Sequence, residues 1–304
     1  MKGMREIREE NRIGKFYPAR VISEVVRLLG RKPVLLLPFI VPVLVTIADM
    51  AGDWIIINLL HDIELPTILT WFSDLLYRSD NDYLGLYYTW NALTLIVSFF
   101  AGIIVSAWAI QSYWAYFRLG DVSLSASLKK GIGFFPKLLG ARLLVVLILL
   151  IPGNLVQLIM YVMMIRMLGS VDEYLRYMRA CGIPISIYMI VVSAFFVFIF
   201  HAIMIEKKGV IGSFKRSFKV AVKNYGRVVA IMALPLLAAI PFILVGIMAW
   251  NGIGSRNHLY NALSYWIPTI ISLLMAPVVF YSLTHAYILS VKGRRRGYRV
   301  RFGR

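Results

Sequence analysis

"VIGSFKRSFKVAVKNYGRVVAIMALPLLAAIP", residues Val210 to Pro241, opens as a cationic helix and runs into nearly pure hydrocarbon. Lys215, Arg216, Lys219, Lys223 and Arg227 stand directly before the apolar run. Phe214, Phe218, Ala221, Val222 and Tyr225 recur at helical spacing and share one face. A helix of roughly ten to fifteen residues with an apolar and a cationic face lies in the membrane interface, not across it. The residues that follow suit a span, which takes about 20 apolar residues. The stretch reads as an in-plane helix feeding a spanning one.

The composition agrees. Of 304 residues 60% are hydrophobic and 16% charged, and the mean hydropathy is +0.74. No water-soluble core needs that much apolar surface. Six runs read as spans, at 34–51, 88–116, 138–164, 184–205, 227–249 and 265–290. Residues 52–85 lack a clean span and read as short interfacial helices, with Trp54 and Trp71 at headgroup depth and Pro66 as a break. The first 32 residues are too charged for a signal peptide, so the first span is expected to be an uncleaved anchor. Cys181 is the single cysteine, which excludes an intrachain disulfide.

Charge placement gives the direction. Segments before span one, between spans two and three, between four and five, and after six hold 28 of the 33 Lys and Arg residues. The other five, Arg78, Arg166, Arg176, Arg179 and Arg256, share the remaining loops with most of the acids. By the positive-inside rule both termini are expected in the cytoplasm of a cell with this protein in its plasma membrane. The net charge of +18 flanks the spans, so anionic lipid headgroups are a more economical partner than nucleic acid.

The opening stretch has relatives in the chain. "SLKKGIGFFPKLLGARLLVVLILLIP" aligns without a gap to "SFKRSFKVAVKNYGRVVAIMALPLLA", matching Ser127 with Ser213, Lys129 and Lys130 with Lys215 and Arg216, Lys137 with Lys223, and Gly140 with Gly226. "ARVISEVVRLLGRKPVLLLPFIVP" is a looser first copy. Even-numbered spans end alike, in "SYWAYFRLG", "HAIMIEKKG" and "HAYILSVKG". The expected architecture is all-α: a basic segment 1–17, three modules over 18–120, 121–209 and 210–292, and an Arg-rich cytoplasmic tail 293–304. Each module is an amphipathic interfacial helix followed by a transmembrane hairpin. Gly140 and Gly226 are expected to turn the chain from the interface into the bilayer.

The blocks "SLKKGIGFF" and "SFKRSFKVAVKNYGRV", each leading into a long span, resemble a broad group of uncharacterised prokaryotic six-span membrane proteins. That group includes the membrane domain attached to some bacterial glycerophosphodiester phosphodiesterases. The likeness covers most of residues 18–292. It implies a fold and no activity, since the phosphodiesterase chemistry belongs to a separate soluble domain with no counterpart in these residues.

Chemistry is sparse. No ionisable residue falls at the centre of a span, and Asp49 and Asp53 read as solvated carboxylates at a helix end. His201 and His285 take equivalent places near the ends of spans four and six, where a pair could bind metal or relay protons. With no acidic or cysteine partner at ligand spacing, they read instead as interfacial polar residues facing neighbouring helices. Asn91, Gln111, Asn154 and Gln157 suit interhelical hydrogen bonds, and Asn154 follows a Pro-Gly break in span three. Pro38, Pro42, Pro152, Pro235 and Pro241 disturb the odd-numbered spans. No phosphate loop, catalytic carboxylate pair, nucleophile elbow or zinc motif is present, so no enzyme and no cofactor are expected.

The leading expectation is a non-enzymatic membrane component. Its basic inner face, carrying Lys129, Lys130, Lys215, Arg216, Lys219 and Lys223, would bind anionic lipid or dock a protein partner. The alternative is a transporter or channel for a small or lipid-like solute that uses the proline-broken odd helices, with Asn154, His201 and His285 as polar groups of its cavity.

Overall fold

The computed structural model describes residues 16–55, 82–149, 191–242 and 267–292. These are helical, with no strand among them. Span ends in 150–190 and 243–266, and both terminal segments, lie outside the described residues. Among the described residues, three helices are long and apolar enough to cross a membrane: Pro33–Gly52, Thr89–Leu119 and Thr269–Val291. The number rises to five if each of two bent helix pairs is one span.

Helix α1 (Pro18–Arg31) starts on a proline at its first position, where a missing N–H costs nothing. It buries Val21, Val25, Leu28 and Leu29 in one stripe. After Lys32 the chain runs through a 3-10 segment, Pro33–Phe39, into α2 (Ile40–Ile55). Pro38 leaves this segment one bond short. In an i to i+3 pattern the Leu35 carbonyl would bond the N–H of residue 38, which proline lacks. The buried Tyr281 hydroxyl donates to that carbonyl instead, at 2.6 Å.

Helix α3 (Asp82–Leu119) ends where Gly120 adopts φ +77° and its N–H donates to the Tyr116 carbonyl at 2.8 Å, a left-handed cap that glycine takes without steric cost. The next helix, α4 (Leu124–Ile132), meets α5 (Phe135–Leu149) at 65°, across Gly133 and Phe134. Pro136 stands in the first turn of α5, where it cannot bond back into α4. Helix α6 (Ile199–Ile205) follows an irregular turn at 194–198 and leads through Lys207, at φ 57°, to α7 (Val210–Lys223). Asn224 separates α7 from α8 (Tyr225–Met232), and α8 meets α9 (Leu234–Phe242) at 42° just before Pro235. Helix α10 (Ile267–Lys292) is the last described element.

The expected turns at Gly140 and Gly226 are not there. Gly140 lies inside α5 and Gly226 inside α8, and neither has positive φ. The chain bends at Gly133–Phe134, ahead of Gly140, while near Gly226 the helix is interrupted at Asn224 and the 42° bend comes later, at Ala233. For the first bend the reason is local: Pro136 disrupts the helix before Gly140 is reached.

Packing is uneven along the bundle. Residues 281–288 of α10 and 109–114 of α3 are buried on every side, whereas the opposite ends of both helices expose apolar side chains such as Leu274 and Leu95. The enclosed end is where α1 packs on α10, α4 on α3, and α7 on α6 and α10. Three clusters fill it. One joins α1, α6, α7, α8 and α10; a second joins α1, the 3-10 segment, α3 and α10; the third joins α3, α5 and α6.

Helices α1 and α7 both have 14 residues, and both bury their fourth, eighth, eleventh and twelfth positions. Helix α4 buries its fourth and eighth, Ser127 and Gly131. Small residues at these points permit close approach: a Cβ on Gly131 would sit 3.1 Å from the Ala107 backbone. Ser217, at the same place in α7, inserts into the irregular turn before α6, accepting from the Phe198 N–H at 3.1 Å and donating to the Phe195 carbonyl at 2.8 Å. The hydroxyl thereby satisfies two backbone groups that the broken helix leaves open.

Candidate functional site

A band of buried polar side chains lies at the enclosed end, where the short helices meet α3, α6 and α10. Its first part runs from α1 to α3. The Glu24 carboxylate accepts from Arg20 Nε at 2.8 Å and, through its other oxygen, from His285 Nε2 at 3.1 Å. That contact places the imidazole proton on Nε2, so Nδ1 accepts from the Tyr113 hydroxyl at 2.7 Å. Phe117 and Tyr113 present ring edges to His285, and Tyr281 stacks on Tyr113. His285 draws Glu24 well below the ordinary carboxylate range, to about 2; burial opposes the shift and Arg20 adds to it.

The second part centres on Glu206, after α6. One carboxylate oxygen accepts from Arg216 Nε at 2.9 Å and from the Tyr287 hydroxyl, and the other lies 3.5 Å from Lys208 Nζ. Glu24 and Arg216 are both the seventh residue of a 14-residue helix, and each reaches inward to a partner at the enclosed end. The charges are opposite but the mechanical result is the same. Each pair holds its helix at one rotational setting against the bundle.

Between the two parts, His201 Nε2 lies 3.0 Å from Thr284 Oγ1, which itself donates to the Phe280 carbonyl. Both histidines are buried, although the sequence places them near water. His285 does have an acidic partner, supplied from 261 residues away in the chain. Among the described residues no group of three His, Cys, Asp or Glu side chains is placed to hold a metal ion.

The cations singled out from sequence divide. Lys129 and Lys130 on α4 are exposed, as are Lys215, Lys219 and Lys223, which form a row along α7. Arg216 departs from that set: it is only 8% exposed and paired with Glu206, so it faces the bundle and is not on the basic surface. Asp49 also departs from its expected solvation, being half-buried with one carboxylate oxygen enclosed. Gln111 is buried, and its amide nitrogen has no hydrogen-bond partner among the described residues. Asn154 and Gln157 lie outside them.

Glu24, Glu206, Tyr113 and Tyr287 escaped the sequence reading. A signal for the acids does exist. Glu24 is the one acidic residue between Glu10 and Asp49, and Glu206 is the last acid in the chain, set among Lys207, Lys208, Lys215 and Arg216. An isolated carboxylate in a strongly basic stretch points to an ion pair.

The band is bonded within itself: its carboxylates are each shared between two or three donors and its histidines face side chains, so these contacts tie neighbouring helices together. No family model, curated protein or solved structure matches the chain.

Proposed function

We propose that the chain is a six-span membrane protein of three tandem modules, with both termini in the cytoplasm, and that its basic inner face gathers anionic lipid without catalysing a reaction. One observation carries this reading. The lysines of α4 and α7 stand exposed on helices whose opposite sides are packed into the bundle, leaving the charge directed outward. Such a row near an acidic leaflet gains about 1 kcal/mol per residue. The matching burial of α1, α4 and α7 supports the three-module pattern, and the 65° bend after α4 supports an in-plane helix that feeds a span.

The transport alternative draws on the breaks at Pro38 and Pro235. Tyr281 takes the carbonyl that Pro38 frees, which favours packing over a cavity at that break. A third reading, an enzyme acting on lipid headgroups at the inner leaflet, would need a histidine open to the surface, whereas His285 is enclosed by Glu24, Tyr113 and Phe117.

The test is lipid retention, measured by native mass spectrometry after extraction in mild detergent. Replacing Lys129, Lys130, Lys215, Lys219 and Lys223 with Gln, and leaving Arg216 in place, is expected to remove most retained acidic lipid. Equal retention in the two proteins would reduce the basic face to a topology signal and move transport ahead.

A further inference from the structure

Three sectors surround α7. Ser213, Arg216, Ser217, Val220 and Ala221 face the bundle, and Lys215, Lys219 and Lys223 form a row on another side. Between them Ile211, Phe218 and Val222 are 73%, 53% and 52% exposed. At 3.6 residues per turn these three fall within a narrow stripe. The corresponding stripe of α1 holds Ala19, Val26 and Gly30, and that of α4 holds Ser125 and Ile132. In each of those only one large side chain is exposed.

The roll of α7 is fixed. Arg216 is tied to Glu206 and Ser217 to the turn before α6, on the side away from the stripe. Phe218 is steadied by stacking on Phe195 at 5.2 Å, and Phe195 in turn stacks on Tyr225 at 4.9 Å. A rigid apolar ridge beside a row of lysines, about 6 Å apart along the helix, matches acyl chains beneath acidic headgroups. The exposed apolar surface resumes in α9 with Leu237 and Ile240.

Resting on the lipid reading above, we infer that α7 is a hydrophobic wedge: Ile211, Phe218 and Val222 enter the acyl region of the inner leaflet, while α1 and α4 lie at headgroup depth. The wedge spreads lipids on one side of the protein only, so it favours a leaflet that is acidic and loosely packed.

Spin labels test this in the full chain with Cys181→Ser. Cysteines at Phe218, Val222, Val26 and Ile132, one per protein, are labelled in vesicles of phosphatidylcholine and phosphatidylglycerol. Their accessibility to oxygen and to a water-soluble nickel complex is then compared. Labels at 218 and 222 are expected to be oxygen-accessible and nickel-protected, about 5–10 Å below the phosphates, with those at 26 and 132 nearer phosphate level. Nickel access at 218 and 222 would overturn the wedge, and so would equal depth at all four sites. Acidic-lipid retention, measured on the same proteins, separates the two ideas. Retention with shallow labels sinks the wedge and spares the lipid reading; deep labels without acidic-lipid preference keep the insertion but sink the lipid reading, and with it the wedge's preference for an acidic leaflet.

Discussion

Glu24 shows how much one side chain decides at this end of the bundle. Its carboxylate receives Arg20 on the open side and His285 on the buried side, and His285 in turn receives Tyr113. The Arg20 contact is an exposed i,i+4 pair, worth about 0.3–0.5 kcal/mol. The His285 contact matters more, because a buried donor left without a partner costs about 1–3 kcal/mol. The folded carboxyl titrates at about 2 against an ordinary 4.5, so it is a lowered group. Its contribution is complete above about pH 4.5 and is lost as pH falls toward about 2. Glu24→Gln keeps an acceptor but not the charge, and is expected to lower stability in detergent by about 1 kcal/mol at neutral pH. Thermal unfolding of both proteins against pH checks this. The gap is expected to close between about pH 4.5 and 2; a gap that stays constant across that window would remove the carboxylate from the account.

At the scale of elements, glycine separates two kinds of helix contact. Gly131 sits where α4 touches the α3 backbone, and a Cβ there would lie 3.1 Å from the Ala107 carbonyl carbon. Gly131→Val is therefore expected to cost about 1–3 kcal/mol through overpacking. Gly226 lies within α8 and meets nothing within 4 Å, so Gly226→Ala is expected to gain about 0.5–1 kcal/mol from helix propensity. Thermal unfolding of the two variants in one detergent decides, and a destabilised Gly226→Ala would restore the turn expected from the aligned blocks. The sequence does show the α7 helix, because its apolar and cationic residues recur at 3.6-residue spacing. It does not show that Arg216 points inward. Arg216 and Lys223 are seven residues apart, and so only about 20° apart around the helix. Glu206, beyond the end of another helix, draws one and not the other, and that choice belongs to tertiary structure. The Glu24–His285 contact was hidden for a similar reason, since no local pattern joins residues 261 apart.

For the whole molecule, the question is which side of the membrane holds the enclosed end. Glu24, Glu206, Arg216 and the lysines of α4 and α7 all gather there. The Lys and Arg excess of the segments they belong to predicts that this end is cytoplasmic. Fixing it needs positions that the fold itself keeps exposed. Ser125 and Lys223 meet that condition at the enclosed end; Ser213 does not, being buried with its hydroxyl donating to the Gly209 carbonyl at 2.8 Å. For the opposite side, Ser79, Ser170 and Ser255 fall in the loops poor in Lys and Arg. Single cysteines at these five places, each with Cys181→Ser, are expected to divide cleanly under a membrane-impermeant thiol reagent. Residues 79, 170 and 255 should label in intact cells, while 125 and 223 should label only after the membrane is opened. Labelling of 125 or 223 from outside would turn the protein over and put the lysine rows against the outer leaflet. The proposed binding of inner-leaflet lipid would then fail, while the packing of α1, α4 and α7 on the bundle would stand unchanged.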